Sequence, residues 1–381
     1  MARRRLMWAV LSLLVFSVLF WVSSVIISDK KESITRHRSI LDHLGQAASR
    51  NYIASQLWTK GEGTDPIRKP DCTPETNVVF IKTHKTASST TSGIFDHYAY
   101  RNNLTVAVPP DGAPFMDRKL LFQRDMVADT KDSGIGWKRE DGFNMLTAHA
   151  RYNRPEMDAV VHNAKFITIL RDPRAQFVSS FVFFNFVDRF KRIFESRGEK
   201  YSTVIEGFIK NPMENYQLMS HRVYSQVLWN QQMFDLGLDT AYFSNPEIIE
   251  ETLSRLDSEL DLVMITEYYD ESLLVLKDIL CWEMDDILYT QRLVRNSSSE
   301  VFLDSVTKDA ISEWNAADTR MYDYFNKTLW RRIASYGPNF QDDLKTFRQR
   351  LSQTTPRKTG KHSRDTKKII KRMKDRGILV R

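Results

Sequence analysis

Several motifs that would assign a function directly are missing from this 381-residue chain. No G-x-x-x-x-G-K-[ST] segment occurs among its 14 glycines, which counts against a protein that hydrolyses ATP or GTP on a Walker loop. No Asp-x-Asp segment occurs either, which counts against a metal-dependent glycosyltransferase. With two cysteines the chain cannot build a Cys₄ zinc site, and no His/Cys spacing indicates another metal site.

The two cysteines, Cys72 and Cys281, leave two interpretations open. In an oxidising compartment they can form one disulfide that closes a long loop. In a reducing one they are unpaired thiols, with Cys281 buried beside Trp282.

Positive charge is concentrated at the two ends of the chain. The formal net charge is +7, but residues 356–381 alone carry a net +9 and Arg3, Arg4 and Arg5 add three more. Residues 6–355 are therefore mildly acidic, which argues against nucleic acid as a partner. A block of like charge is typical of a disordered tail, and we expect one over residues 351–381.

The N-terminal segment predicts a membrane anchor. Residues 6–27 are uncharged and mostly apolar, and a bilayer core needs about 20 such residues. Because three arginines precede this run, the positive-inside rule places residues 1–5 in the cytosol and the rest in the lumen. A cleaved signal peptide usually has a shorter apolar region, so we favour an uncleaved signal anchor followed by a stem over residues 28–71.

Three N-x-[ST] triplets fit a lumenal chain, although such triplets also arise by chance. They predict glycosylation at Asn103, Asn296 and Asn326.

Residues 72–350 predict a single α/β domain. Apolar runs at 77–81, 143–149, 165–170 and 262–266 alternate with helical patterns, which indicates a mostly parallel sheet. Ligands of such sheets bind beyond the carboxyl ends of the strands. The loops that follow these strands, at 82–90, 149 and 171–179, are therefore expected to converge on one crevice.

The segment "IKTHKTASST", residues 81–90, has the layout of an anion-binding turn between a strand and a helix. At a helix N-terminus the backbone N–H groups and the helix dipole favour an anion. Lys85 adds a positive charge, and Ala87 is small enough to let ligand oxygens approach the backbone. Hydroxyl donors are offered by Thr86, Ser88, Ser89 and Thr90.

A second candidate phosphate holder is the segment "LRDPRAQFVSS". Arg171 ends a strand and Ser179 lies eight residues later, on the following helix; an arginine fork with a nearby hydroxyl suits a terminal phosphate. A structural ion pair between Arg171 and Asp172 is the alternative. Two phosphate holders on one sheet suit a nucleotide that carries phosphates at both its 5′ and 3′ positions.

Together, "FIKTHKTASST" and "ITILRDP…VSSF" resemble the sulfotransferases that use 3′-phosphoadenosine 5′-phosphosulfate (PAPS), and more narrowly the galactose 3-O-sulfotransferase family. Further similar stretches lie at 234–239, 267–289 and 322–333, so the resemblance covers roughly residues 75–335.

This resemblance implies a P-loop-like three-layer domain and a single-pass type II protein of the Golgi membrane. It also implies transfer of a sulfonate from PAPS to the 3-hydroxyl of a β-galactose on a glycolipid or a glycoprotein glycan, with no metal. Residues 85–90 would hold the 5′-phosphosulfate, and Arg171 and Ser179 the 3′-phosphate. Whether the protein forms a homodimer is left open.

The chemistry of that reaction assigns further roles. Lys85 would stabilise the departing phosphate, and His149, at the end of a predicted strand, would be the general base. His84 is the second candidate base and, with Asn230 and Asp235, a candidate contact of the acceptor sugar. The alternatives are a turn-shaping role for His84 and a structural helix role for Asn230 and Asp235. We interpret Glu267 as a helix-start or orienting residue.

Two other functions remain open at this point. One is a sulfotransferase for another sugar, such as the uronic acid of a glycosaminoglycan. The other is a non-enzymatic, membrane-tethered protein that binds glycans, although such a protein has no need for two phosphate holders.

Overall fold

The central sheet is built from short apolar strands that are almost completely buried. The computed structural model describes residues 72–110, 115–117, 119–131, 138–221, 224–290, 302–354 and 364–379. Within these ranges the sheet has five parallel strands in the order β2-β3-β1-β4-β5. The strands are β1 (Val78–Ile81), β2 (Val106–Ala107), β3 (Met145–Leu146), β4 (Lys165–Leu170) and β5 (Leu262–Ile265). Near-continuous apolar runs are typical of parallel strands covered on both faces.

Helices connect and flank the strands. They are α1 (Ser88–Arg101), α2 (Arg154–Asp158), α3 (Pro173–Phe183), α4 (Phe186–Ser196), α5 (Val204–Lys210), α6 (Pro212–Met219), α7 (Gln231–Asp235), α8 (Pro246–Glu259), α9 (Tyr269–Leu280), α10 (Ser305–Trp314), α11 (Ala316–Tyr336), α12 (Phe340–Ser352) and α13 (Arg364–Asp375).

The sheet confirms the predicted parallel α/β architecture. All four predicted strands are present, and β2 is an additional strand in the region 100–142, which the sequence pattern did not assign. The predicted cytosolic tail, anchor and stem (1–71) and Asn296 lie outside the described residues. None of the helices that the structure describes is long and apolar enough to span a bilayer.

Residues 174–194 carry one continuous helical pattern, but the structure divides them between two helices. The helical conformation is interrupted at Asn185, which has a φ of 59° in the left-handed region. The helices α3 and α4 lie on either side of this residue. The break allows Phe181 of α3 to pack against Phe186 and Phe190 of α4, with ring centroids 5.9 and 5.6 Å apart. These rings and Phe208 form a second apolar cluster, and burying them favours two packed helices over one straight helix.

The segment before β1 is fixed to the end of α9 by a disulfide between Cys72 and Cys281, whose Cα atoms are 5.7 Å apart. Two hydrogen bonds reinforce this attachment: Glu75 N–H donates to the Leu280 carbonyl, and Trp282 Nε1–H donates to the Glu75 carbonyl, each at 2.9 Å. Cys281 has a φ of 55°, so its left-handed backbone ends α9 where the cystine is formed.

The expectation of a disordered tail is wrong for residues 364–379, because α13 packs against α1. Ile369 and Met373, one turn apart, are almost completely buried, so an apolar stripe at helical spacing offsets the repulsion between like charges.

Hydrogen bonds also attach α13 to α1. Thr366 Oγ1 donates to Asp96 Oδ2 at 2.5 Å. Arg372 donates to the carbonyls of Ala99, Tyr100 and Leu104 around the C-terminus of α1, where a cation is favoured by the helix dipole.

Replacing both cysteines with serine should lower the free energy of unfolding. The disulfide joins residues separated by 209 positions, and the chain-entropy argument gives about 5 kcal/mol as an upper value for a loop of that size. Thermal unfolding should show a lower Tm for the double variant. A reductant should lower the Tm of the wild type towards the same value and leave the variant unchanged; equal Tm values for oxidised wild type and variant would contradict the prediction.

Ile369→Ala should destabilise the whole domain if α13 is part of its cooperative core. We expect a loss of about 2–5 kcal/mol in the free energy of unfolding, because the side chain is fully buried. The matched control is Lys371→Ala on the exposed face of the same helix, which should change stability by no more than about 0.5 kcal/mol. Equal effects of the two substitutions in denaturant titrations would show that α13 does not contribute through its buried face.

Candidate active site

The loop between β1 and α1, residues 82–87, has a backbone that is unusual for a segment without glycine. Lys85 has a φ of 62° and Ala87 a φ of 63°, whereas Thr86 between them is not left-handed. A left-handed residue followed by a right-handed one, as Ala87 is by Ser88, aims consecutive N–H groups at one concave side, as in anion-binding nests. A non-glycine residue in the left-handed region costs about 1–2 kcal/mol, and such strain is typical of functional sites.

Buried hydroxyl groups hold this loop in shape. Thr83 Oγ1 lies 2.7 Å from Thr86 Oγ1 and donates to the Ile169 carbonyl of β4. Ser88 Oγ donates to the Thr83 carbonyl at 2.6 Å, and Thr266 Oγ1, just after β5, lies 2.8 Å from the Thr86 carbonyl. The hydroxyls of Thr86 and Ser88, predicted as ligand donors, thus bond within the loop, so the backbone N–H groups are the better candidates for holding an anion.

The structure brings the second predicted phosphate holder to the same loop. Arg171 Nη1 donates to the Lys85 carbonyl at 3.2 Å. From α3, Gln176 Nε2 donates to the His84 carbonyl, also at 3.2 Å. Ser179 is half-buried and lies one helical turn beyond Gln176, so it is on the side of α3 that faces the loop.

The carboxylate of Asp172 pairs with a neighbour other than Arg171. It caps α3 and contacts the guanidinium of Arg174 at 2.5 Å, so the predicted ion pair with Arg171 is not the one formed. Glu267 accepts the backbone N–H of Asp172 and the hydroxyl of Tyr322, and burial raises the pKa of its carboxyl. These contacts agree with the orienting role that the sequence suggested for Glu267.

The side chain of Lys85 extends to the end of α3. Its Nζ lies 3.6 Å from the centre of the Phe183 ring, a cation–π contact. Phe183 is 56% exposed, so the ammonium group lies at the open side of the loop, where a ligand could reach it.

His84 is held by a carboxylate. Its backbone N–H donates to Asp235 Oδ2 at 2.8 Å, and its Nδ1 lies 3.0 Å from both carboxylate oxygens. Because a carboxylate only accepts hydrogen bonds, Nδ1 carries a proton, and in the neutral imidazole Nε2 is then the acceptor. Gln231 Nε2 also donates to Asp235 Oδ1, at 2.7 Å. An imidazole oriented in this way is suited to accept a proton at Nε2.

His149 stacks beside His84, with ring centroids 4.5 Å apart. Its Nδ1 donates to the Lys82 carbonyl at 3.1 Å, so its Nε2 also keeps a lone pair. Burial lowers the pKa of His149 well below its usual range, and the charges of Lys82 and His84 lower it further. His149 is therefore neutral near pH 7 and, lacking a carboxylate partner among the described residues, is the poorer proton acceptor of the two.

Asn230 is buried beneath the candidate site and does not lie at its surface. It is 1% exposed; its N–H donates to Asn315 Oδ1, and its Oδ1 accepts the N–H of Asp318. Asp318 in turn accepts the N–H groups of Gln232 and Met233 in the first turn of α7, and burial raises its pKa to about 7. These contacts fix α7, which ends at Asp235, and they agree with the structural role that the sequence offered as the alternative for Asn230.

Comparison with known proteins shows which family the chain is similar to. The sequence profile of the galactose-3-O-sulfotransferases matches residues 1–371. The chain belongs to this family. It is 33% identical over 267 residues to a galactosylceramide sulfotransferase of Bos taurus, a match that covers 70% of the chain and 60% of that protein. It is 31% identical to galactose-3-O-sulfotransferase 3 of Mus musculus, over 75% of the chain and 65% of the relative.

A third relative, galactose-3-O-sulfotransferase 2 of Sus scrofa, is 32% identical over 68% of the chain and 62% of its own length. The chain thus spans about three fifths of the length of these relatives. Within the described residues, no cluster of three histidine, cysteine or carboxylate side chains could hold a metal ion.

The contacts of Asp235 and Gln176 with His84 were not anticipated from the sequence. Asp235 stands in "FDLGLD", one of the stretches that resemble the sulfotransferase family, but its partner lies 151 residues away. A cavity of about 640 Å³ lies elsewhere, lined by residues that include Cys72, Lys165 and Asp261. Because Lys165 begins β4 and Asp261 directly precedes β5, it is at the amino ends of the strands and away from the loop.

The depressed pKa of His149 predicts a pH dependence of stability. Near pH 6.5 the unfolded chain binds a proton at this ring and the folded chain does not, so the free energy of unfolding should fall as the pH drops through about 6.5. His149→Asn should reduce that fall in denaturant titrations at a series of pH values. His162→Asn, at an exposed position, is the control and should follow the wild type; identical pH slopes for all three proteins would contradict the assignment.

Proposed function

We propose that this protein transfers a sulfonate group from PAPS to the 3-hydroxyl of a β-galactose on a glycolipid or glycan. The observation that carries the proposal is the meeting of an anion-binding loop, a lysine and a carboxylate-held histidine within residues 82–87. Family membership supports the reaction type. The names of the relatives, galactosylceramide sulfotransferase and galactose-3-O-sulfotransferases, support the acceptor.

The donor set of the site fits the two anionic ends of PAPS. The nest at residues 85–88 offers backbone N–H groups to a phosphosulfate, and Lys85 adds an ammonium that can reach the same oxygens. Arg171 and Ser179 offer a guanidinium and a hydroxyl to a 3′-phosphate. When bound, PAPS supplies an activated sulfonate, whose bond to the phosphate oxygen breaks as a bond to the sugar oxygen forms.

Charge determines what the protein must do in this step. Negative charge grows on the departing phosphate, and Lys85 at the loop is placed to stabilise it. The sugar hydroxyl loses its proton to Nε2 of His84, and Asp235 stabilises the imidazolium that forms. His149, which stays neutral, accepts a hydrogen bond from the acceptor and so orients it. The assignment of His84 as the base replaces our sequence-based choice of His149, because the carboxylate lies on His84.

The cellular setting is part of the proposal. We place the protein in the Golgi membrane as a single-pass type II protein with its catalytic domain in the lumen. The apolar run at residues 6–27 and the disulfide of Cys72, which belongs in an oxidising compartment, support this location.

Substitution of the two histidines should separate their roles. His84→Ala should lower kcat by roughly 10²–10⁴-fold, the usual contribution of a general base, while 3′-phosphoadenosine 5′-phosphate still binds in calorimetry. Asp235→Asn should also lower kcat and alter the acid limb of the pH–rate profile. His149→Asn should raise the KM for the acceptor more than it lowers kcat. Lys85→Ala should lower kcat more than tenfold.

The assay is transfer of labelled sulfate from PAPS, and His162→Ala is the control. The acceptors to compare are galactosylceramide, lactosylceramide, N-acetyllactosamine, a core-1 glycan and a uronic acid polymer. Transfer to the polymer alone would overturn the galactose assignment. A larger loss of kcat in His149→Asn than in His84→Ala would reverse the assignment of the base.

A further inference from the structure

A row of aromatic side chains adjoins the reactive groups on the open side of the loop. Phe183 and Phe184 end α3, with their rings 5.0 Å apart and nearly perpendicular. The ring of Phe183 contacts Lys85 Nζ, and the ring of Phe184 lies 6.4 Å from that of His84. The apolar surface therefore begins beside both side chains to which the proposed reaction assigns chemistry.

Tyr224 extends this surface. Its ring lies 4.7 Å from that of Phe184 and is tilted by 31°, and both side chains are half-buried. Tyr224 has a φ of 74°, a conformation that is an outlier for a bulky residue. The backbone is held in a strained state that presents this ring beside Phe184, and such strain is found where a surface binds a ligand.

His84 has a further aromatic neighbour, Phe115. Phe115 lies 5.0 Å from His149 and is nearly parallel to it, and its centroid is 6.4 Å from that of His84. His84 thus has two aromatic neighbours, Phe115 and Phe184, and the ring of Tyr224 packs on Phe184. Flat rings beside a few polar groups are typical of sites for small organic ligands, whereas branched aliphatic side chains would suit a lipid chain.

The chemistry of β-galactose matches this arrangement. Its axial 4-hydroxyl leaves the opposite face of the ring with the C–H groups of carbons 3, 4 and 5, an apolar patch that packs on an aromatic ring. The equatorial 3-hydroxyl then projects sideways from the edge of the sugar. A sugar in ordinary contact with Phe184, at about 4 Å, would bring that edge close to the ring of His84.

We propose that Phe184, supported by Tyr224, binds the apolar face of the acceptor galactose and directs its 3-hydroxyl towards His84. This inference rests on the proposed function for the identity of the acceptor. Phe184 and Tyr224 are on this account specificity-determining residues, because a sugar without an apolar face at carbons 3 to 5 would lose the contact. The lipid or glycan to which the galactose is attached extends away from the loop.

The test compares Phe184→Leu, which removes the flat ring but keeps an apolar side chain, with Phe184→Tyr, which keeps the ring. The leucine variant should raise the KM for a galactoside acceptor roughly threefold to tenfold, as expected for a lost aromatic contact. The tyrosine variant should stay close to the wild type. Binding of 3′-phosphoadenosine 5′-phosphate should be unchanged in both, which also shows that they fold. Tyr242→Leu, at an exposed aromatic residue elsewhere, is the control.

Binding of methyl β-galactoside, followed by saturation-transfer NMR, separates this inference from the proposed function because it needs no turnover. The protons on carbons 3, 4 and 5 should receive the most saturation in the wild type, and less in Phe184→Leu. Such a pattern without sulfate transfer would overturn the proposed function and keep the binding surface. Sulfate transfer with unchanged KM and unchanged saturation in Phe184→Leu, or no preference for these protons in the wild type, would overturn the binding surface.

Discussion

The site depends on a loop whose backbone is held in a conformation that its residues do not prefer. Lys85 and Ala87 are left-handed without being glycine, and the strain of about 1–2 kcal/mol at each must be offset by the surrounding structure. Thr83, Thr266 and Arg171 provide this, because each bonds to the loop from a neighbouring strand end or from within the turn. A glycine-free loop held in this way loses less conformational entropy on folding than a glycine-rich one, and it presents its N–H groups in one arrangement.

The histidine side of the candidate site depends on α7 in the same way. Asp318, on α11, fixes the first turn of α7 through two backbone hydrogen bonds, and α7 ends at the carboxylate that holds His84. The helix α11, in the C-terminal third of the domain, thereby sets the orientation of the His84 imidazole, which lies near the N-terminus of the domain. The helix that follows the loop, α1, is secured separately by α13 through Asp96 and Arg372.

The aromatic residues play two different parts. Those of α4 and α5 form an apolar cluster with Phe177 and Phe181 of α3. Phe183 and Phe184, at the C-terminal end of α3, remain partly exposed beside the loop, and Phe184 also packs against that cluster. One helix thus joins a buried core to the aromatic rings beside the loop.

Much of this protein could be predicted from the sequence. The apolar runs located four of the five strands, the expected convergence of Arg171 on the loop after β1 is observed, and the family resemblance is confirmed over most of the chain. These features are local: a buried strand and the turn after it are encoded in about a dozen neighbouring residues. The two-residue strand β2 and the interruption of the helix at Asn185 were not predicted from the sequence, because neither produces a hydrophobic period of its own.

Only the tertiary structure decided which side chains act together. The pairing of His84 with Asp235 spans 151 positions, that of Thr366 with Asp96 spans 270, and the disulfide spans 209. The sequence favoured His149 over His84 as the base, and it predicted a disordered basic tail. The carboxylate contact distinguished the histidines, and the burial of Ile369 and Met373 ordered the helix. Contacts at such separations depend on packing between elements, which no local pattern records.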